Sequence, residues 1–288
     1  MTNDKSYELS PEDLQKVVTS VELPSCPASA METLKEAQKD EPDLRQLAKL
    51  IAADPMMSAA ALKLANSPVF GGRQQVSSVP KAVERLGIKN IVCVVVASAL
   101  RSSISGLPAA WLEAFWKRTG QQAAAAAMIA RQQYGISPDA TYTYTLFHNA
   151  AMPLMMKRFP DYAEVLDACQ REGRLLVEAE ERFFPCSHPV VGSLLVRNWG
   201  LPAILGQAIR FHHEPDAYDL PDRTLPGGAL SFIAVTQVAD TLLSQVQESV
   251  DVEVGEALFQ RALDYLGIAS DDLDDLRQKI AAAITETD

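Results

Sequence analysis

What this chain lacks narrows what it can be. No stretch approaches the roughly 18 consecutive apolar residues of a membrane-spanning helix, and the most apolar segment, Ile91 to Leu100, reads as a buried helix. The opening MTNDKSYELSPEDLQ has neither the basic start nor the apolar core of a signal peptide, so a cytoplasmic protein without membrane contact is expected. The four cysteines (Cys26, Cys93, Cys169, Cys186) are far apart and form no CxxC pair. That argues against a zinc ribbon, a redox motif and a disulfide framework. Cys186 lies two residues before His188, but no further ligand follows at finger-like spacing, and no structural zinc is expected there. Positive charge is also scarce. With 26 basic against 37 acidic residues the net charge is −11, and the only adjacent basic pairs are Lys117-Arg118 and Lys157-Arg158. Nucleic acid, whose phosphates need Lys and Arg, is therefore not an expected partner.

What is present is ordinary globular material in a helical pattern. Apolar residues make up 48% of 288, enough for a large core. In DLRQLAKLIAA, Leu44, Leu47, Leu50 and Ile51 recur at helical spacing. Asp54-Pro55 then ends one helix and starts the next, Asp capping and Pro filling a first-turn position whose N–H is not needed. GGRQQ (71–75) reads as a loop. A short helix over 80–86 should close at Gly87, and another follows over 89–104, helical despite its IVCVVVA run because no second strand-like run exists to pair with it. A long helix is predicted over 108–134, where QQAAAAAMIA would let a neighbour come close, and another over about 140–158, kinked at Pro153. Further helices are expected near 161–171, 174–182, 189–199, 202–213, 228–246, 255–265 and 271–284. DDLDD at 271–275 reads as a solvated helix start. The fold class is all-α.

Only four histidines occur, His148, His188, His212 and His213, each within or near the end of a predicted helix. Metal sites gather His and carboxylates from separate helices in this way, and Asp240 could supply a carboxylate from a later one. No two of the histidines have the i, i+4 ligand spacing, so the residues alone point only to a polar pocket between helices.

Longer blocks carry more. IAADPMMSAAALKLANSPVF followed by VSSVPKAVERLGIKNIVCVVVASAL resembles the opening half of the HDOD family, the HD-related output domain of bacterial signalling proteins. HPVVGSLLVRNWGLPAILGQAIRFHHEP resembles its second half, and the likeness runs from about Leu23 to Ser244. It implies a multi-helix fold related to the HD phosphohydrolases, divided into a lead-in (1–22), an HDOD domain (23–245) and an acidic helical tail packed on or flanking it (246–288). In the related enzymes a His, a His-Asp dyad and a distant Asp hold divalent metal, and extra histidines can bind a second ion. By resemblance, Arg118 stands at the first ligand position, His148-Asn149 at the dyad and Asp240 at the distant Asp. His188, His212 and His213 match the extra histidines.

The departures bear on the chemistry. Asn149 offers a neutral amide oxygen in place of a carboxylate, and the Arg118 guanidinium has no lone pair and repels a cation. No cofactor, metal or catalytic residue is therefore expected; any residual metal would fall to His148, His188, His212 and Asp240. Three readings of Arg118 stay open: bonding Asp240 or Asn149 in place of the metal, facing an anionic ligand, or pointing outward. For His148 the alternatives are a core histidine satisfied by its neighbours and a ligand. His188 and His212-His213 could equally be residues of helix ends. The leading expectation is a non-catalytic signalling protein, a stand-alone HDOD domain acting through a protein partner. No receiver, kinase or cyclase domain fits beside it in this length, so input would come from another chain. The alternatives are a metal-dependent phosphohydrolase of a nucleotide or cyclic dinucleotide, and a sensor that binds a small nucleotide without turnover.

Overall fold

The computed structural model describes residues 19–67, 70 and 74–285. The lead-in up to residue 18 and the first residues of the GGRQQ loop, 71–73, lie outside them. The fold is all-α, with no strand among the described residues.

Three short helices come first: α1 (Ala28–Ala37), α2 (Leu44–Ala52) and α3 (Pro55–Ala65). Asp43 caps α2 by accepting from the Arg45 N–H, and Asp54 caps α3 by accepting from Met56 and Met57, with Pro55 in the first turn. Leu47 and Ile51 are fully buried on α2. Leu44, expected on the same face, is 38% exposed because it stands at the first turn, short of the core. Helix α4 (Val79–Ser103) is interrupted at Gly87, whose φ of 69° and ψ of 172° break the helical path as the glycine-closed short helix required. Its second half buries Ile91, Val94, Val95 and Leu100 as a helix.

Helix α5 (Ala109–Ala130) buries Ala123, Ala125, Ala126 and Ala127, whose small side chains let α6 (Pro138–Phe147) and the later α12 (Gly227–Val246) lie close to it. The single kinked helix expected over about 140–158 is two helices, because the chain breaks over 148–151 and restarts as α7 (Met152–Arg158). Pro153 falls in the first turn of α7, where it costs no hydrogen bond, so it starts a helix where a kink was expected. There follow α8 (Tyr162–Glu172), α9 (Leu176–Phe183), α10 (His188–Asn198) and α11 (Ala203–Phe211).

Helix α12 (Gly227–Val246) is the axis of the bundle and packs against α5, α6, α11 and the two tail helices α13 (Gly255–Leu266) and α14 (Leu273–Thr285). Among the described residues it is the one helix long and apolar enough to cross a membrane, and 83% of its apolar window is buried inside the protein. One face joins the main core. The other joins a second core in which Val238 and Leu242 meet Ile129, Leu258, Phe259, Ala262 and Ile280. The tail thus buries an apolar face, while Asp271, Asp272, Asp274 and Asp275 point to solvent around buried Leu273.

Candidate functional site

The seven residues singled out from the sequence come from five places in this bundle. Arg118 lies on α5, His148 caps the end of α6 with Asn149 beside it, His188 opens α10, His212-His213 follow α11, and Asp240 sits mid-way along α12. Local chemistry fixes each ring. Glu180 on α9, fully buried, accepts from both the backbone N–H of His188 (2.8 Å) and its Nδ1–H (2.7 Å). One carboxylate therefore caps α10 and orients the ring. The Tyr162 hydroxyl donates to the other oxygen of Glu180 at 2.5 Å. His148 Nδ1 donates to the Thr145 carbonyl and His212 Nδ1 to the Ile209 carbonyl, each at 2.6 Å. Gly192, one turn beyond His188, lets α10 approach closely: a Cβ there would lie 2.9 Å from the Ile209 side chain and 3.6 Å from Ala151.

At one end of the site stands a protein cation. Arg118 Nη2 donates to Asp240 Oδ1 (2.9 Å) and Ser244 Oγ (2.8 Å), and its Nη1 donates to Gln247 Oε1 (2.9 Å). Gln122 Nε2 donates to the same Asp240 oxygen at 2.6 Å. Of the three readings of Arg118, the geometry is the pairing with Asp240; Asn149 is not its partner. Burial raises the Asp240 carboxyl to about 6, the adjacent guanidinium offsetting only part of that cost.

At the other end are lone pairs. His188 Nε2 lies 3.3 Å from His212 Nε2 and 3.1 Å from His213 Nε2. They are joined by a carboxylate from the tail. Glu253 Oε2 is 3.4 Å from His213 Nε2 and 3.8 Å from His188 Nε2. Asn149 Nδ2 donates to that oxygen at 2.8 Å. The Glu253 segment is itself held: the Leu176 N–H donates to the Val252 carbonyl, and Asp251 accepts from the N–H groups of Glu253 and Val254. Burial works against charge on His188, but Glu180 and Glu253 outweigh it and raise its pKa. Burial likewise disfavours the Glu253 carboxylate, but a hydrogen bond from His213 and the surrounding rings hold its pKa well below the usual range. Burial alone dominates at His148, lowered to about 4, and at His212, lowered further by its neighbouring rings.

The ligand set left open by the sequence, His148, His188, His212 and Asp240, is not the one these helices gather. Asp240 is engaged by Arg118 and Gln122, and His148 stands edge-on to His212, ring centroids 5.5 Å apart. The donors that converge are those of His188, His212, His213 and Glu253, all within 4.8 Å of one another. Cys186, near His188 in sequence, instead lies against Met155. A metal pair of the HD phosphohydrolase kind does not fit the Arg118 end, where a guanidinium and an amide already bond the Asp240 oxygen and Asn149 supplies no carboxylate. Glu180 and Glu253 were not legible as site residues. The one available signal was Glu253 standing alone between two valines, an apolar setting unusual for an exposed acid. The cavity between the two ends, bounded by Tyr144, His148, Thr236, Gln237 and Asp240 among others, has room for about one water.

Comparison with known proteins bears on the family and the fold. The HDOD domain family model matches residues 23–215. An uncharacterized protein of Treponema pallidum is 25% identical over 197 residues, 67% of this chain, though the match spans only 38% of that protein's length. Three solved structures cover almost the whole of this chain. An HDOD domain protein of unknown function from Geobacter sulfurreducens superposes with a TM-score of 0.68 at 21% identity, over 96% of this chain and 97% of that one. A protein provisionally named a phosphohydrolase, from Shewanella amazonensis, gives 0.70 at 22% identity over 96% and 98%. A third, provisionally named a signal transduction protein, from Marinobacter aquaeolei, gives 0.71 at 19% identity over 98% of this chain and 67% of that one. At these identities the structures share the fold.

Proposed function

The chain belongs to the HDOD family, and from that premise we propose that it is a signal-transduction protein working through contacts with a protein partner and hydrolysing no phosphate ester. The observation that carries this reading is the Arg118–Asp240 pair. A hydrolytic metal must polarise phosphate and acidify a water, and it needs carboxylates free to bind it. Here the only carboxylate at the HD positions is bonded to a permanent cation, and the dyad position holds an amide. The small cavity gives no support to a nucleotide sensor, because a nucleotide needs a cleft of several hundred Å³. The signal-transduction name of the Marinobacter protein favours the same reading, whereas the phosphohydrolase name of the Shewanella protein favours the alternative. A cytoplasmic location goes with the proposal, and the most membrane-like helix among the described residues is buried as core.

The test is an assay of the full chain with cyclic dinucleotides, nucleoside phosphates and a generic phosphodiester, each with added manganese, iron(II) or magnesium. No product is expected. Metal-dependent turnover that disappears in both His148→Ala and Asp240→Asn would overturn the proposal.

A further inference from the structure

At the histidine end, bonds made elsewhere have already settled two tautomers. His188 gives its Nδ1–H to Glu180 and His212 gives its Nδ1–H to the Ile209 carbonyl, so each neutral ring turns a bare Nε2 lone pair inward. His213 adds its Nε2 to the same point, and its Nδ1 is buried with no hydrogen-bond partner among the described residues. A carboxylate oxygen of Glu253 completes the group, and its other oxygen is also buried and unpartnered. Three ring nitrogens and a carboxylate oxygen gathered this closely away from water need protons or a cation among them.

We infer that His188, His212, His213 and Glu253 bind one divalent transition-metal ion, with zinc the best match. A regular tetrahedron of zinc bonds of about 2.0–2.1 Å has edges of about 3.3–3.4 Å. Four of the six donor separations, 3.1, 3.3, 3.4 and 3.8 Å, are close to that cage, and all six lie within 4.8 Å. Three imidazoles and one carboxylate suit zinc better than magnesium or calcium, which take oxygen ligands. The charges also balance: Glu253 and, behind His188, Glu180 offset the two positive charges of the ion. The Glu180–His188 contact is the carboxylate–histidine support that metal-bound imidazoles regularly have.

The source of the fourth ligand gives the site its role. Glu253 lies beyond the residues matched by the family model, in the segment that leads into α13. An ion here clamps the tail to α10 and α11. Four protein donors fill the tetrahedron and leave no position for a substrate water, so the clamp is structural and independent of whether the chain hydrolyses anything. Asn149 acquires a positioning role as well. Its amide donates to Glu253, whereas an Asp there would set a second carboxylate against it.

The full-length chain, stripped with a chelator and titrated with cobalt(II), tests this. One cobalt per chain is expected, with the intense visible bands of a tetrahedral ion, displaced by one equivalent of zinc and accompanied by a rise in Tm. Glu253→Gln should weaken cobalt affinity about 100-fold and Glu180→Gln about 10-fold, while Asp240→Asn leaves it unchanged. The absence of bands in the wild-type chain would mean that protons alone fill the cluster and would overturn the inference. So would the weak spectrum of an octahedral ion, or a site lost in Asp240→Asn and kept in Glu253→Gln.

Discussion

Arg118–Asp240 and the His188–His212–His213–Glu253 cluster border one small cavity, yet they handle charge in opposite ways. At the first, the carboxylate is met by a cation that belongs to the chain, which Ser244 and Gln247 also hold, while Gln122 donates to the carboxylate. At the second, ring nitrogens and a carboxylate converge with no Lys or Arg among them. At the dyad position the side chain is an amide, and its Nδ2–H is donated to a carboxylate from the tail. One end of the pocket is thus filled by a protein cation, and the other gathers ring nitrogens and a carboxylate.

The largest effect is expected from restoring the dyad. Asn149→Asp sets a second buried carboxylate at the place from which an amide now donates to Glu253, and should destabilise the chain by about 3 kcal/mol or more in chemical denaturation, without producing hydrolysis. A stable variant with phosphodiesterase activity would erase the distinction between the two ends.

Arg118→Ala comes next. It removes one partner of buried Asp240 and leaves Gln122 in place, which corresponds to about 1–3 kcal/mol, held toward the lower end because Arg118 is one-third exposed. The loss should depend on pH. The folded pKa of Asp240, about 6, is raised above the ordinary 3.8, so below it the native carboxyl is protonated and no ion pair exists to lose. The destabilisation measured at about pH 8 should therefore exceed that at about pH 5, and equal losses at both would contradict the pairing.

Gly192→Ala sharpens the histidine end. The added Cβ must displace the Ile209 side chain beside His212, at an expected cost of about 1–2 kcal/mol in thermal unfolding. As the control that touches neither end, Lys279→Ala breaks an exposed pair with Asp275 and should change stability by less than about 0.5 kcal/mol.

The helices were legible because apolar spacing, Asp-Pro starts and Gly87 are local signals, and each acts within a turn or two of itself. Pro153 misled for the same reason in reverse. Its local meaning depends on whether a helix already exists before it, and the turn at 148–151 ends one helix just ahead of it, with Ala151 lying beside Gly192 of α10. The Arg118–Asp240 pairing was among the readings of the sequence, since the family likeness placed both residues in one pocket. Glu180 and Glu253 were hidden because their chemistry is not local. Nothing in EAEERF marks one Glu as the buried partner of a histidine eight residues later, and the one mark on Glu253 is its place between two valines. Only the fold shows that Val252 and Val254 carry Glu253 inward.

The distinction between the two ends is tested most directly by anomalous X-ray scattering from crystals of the full chain grown with zinc. The expected map has one peak, enclosed by His188, His212, His213 and Glu253, with the Arg118 guanidinium on Asp240. A peak bound by His148 and Asp240, with Arg118 displaced, would contradict it.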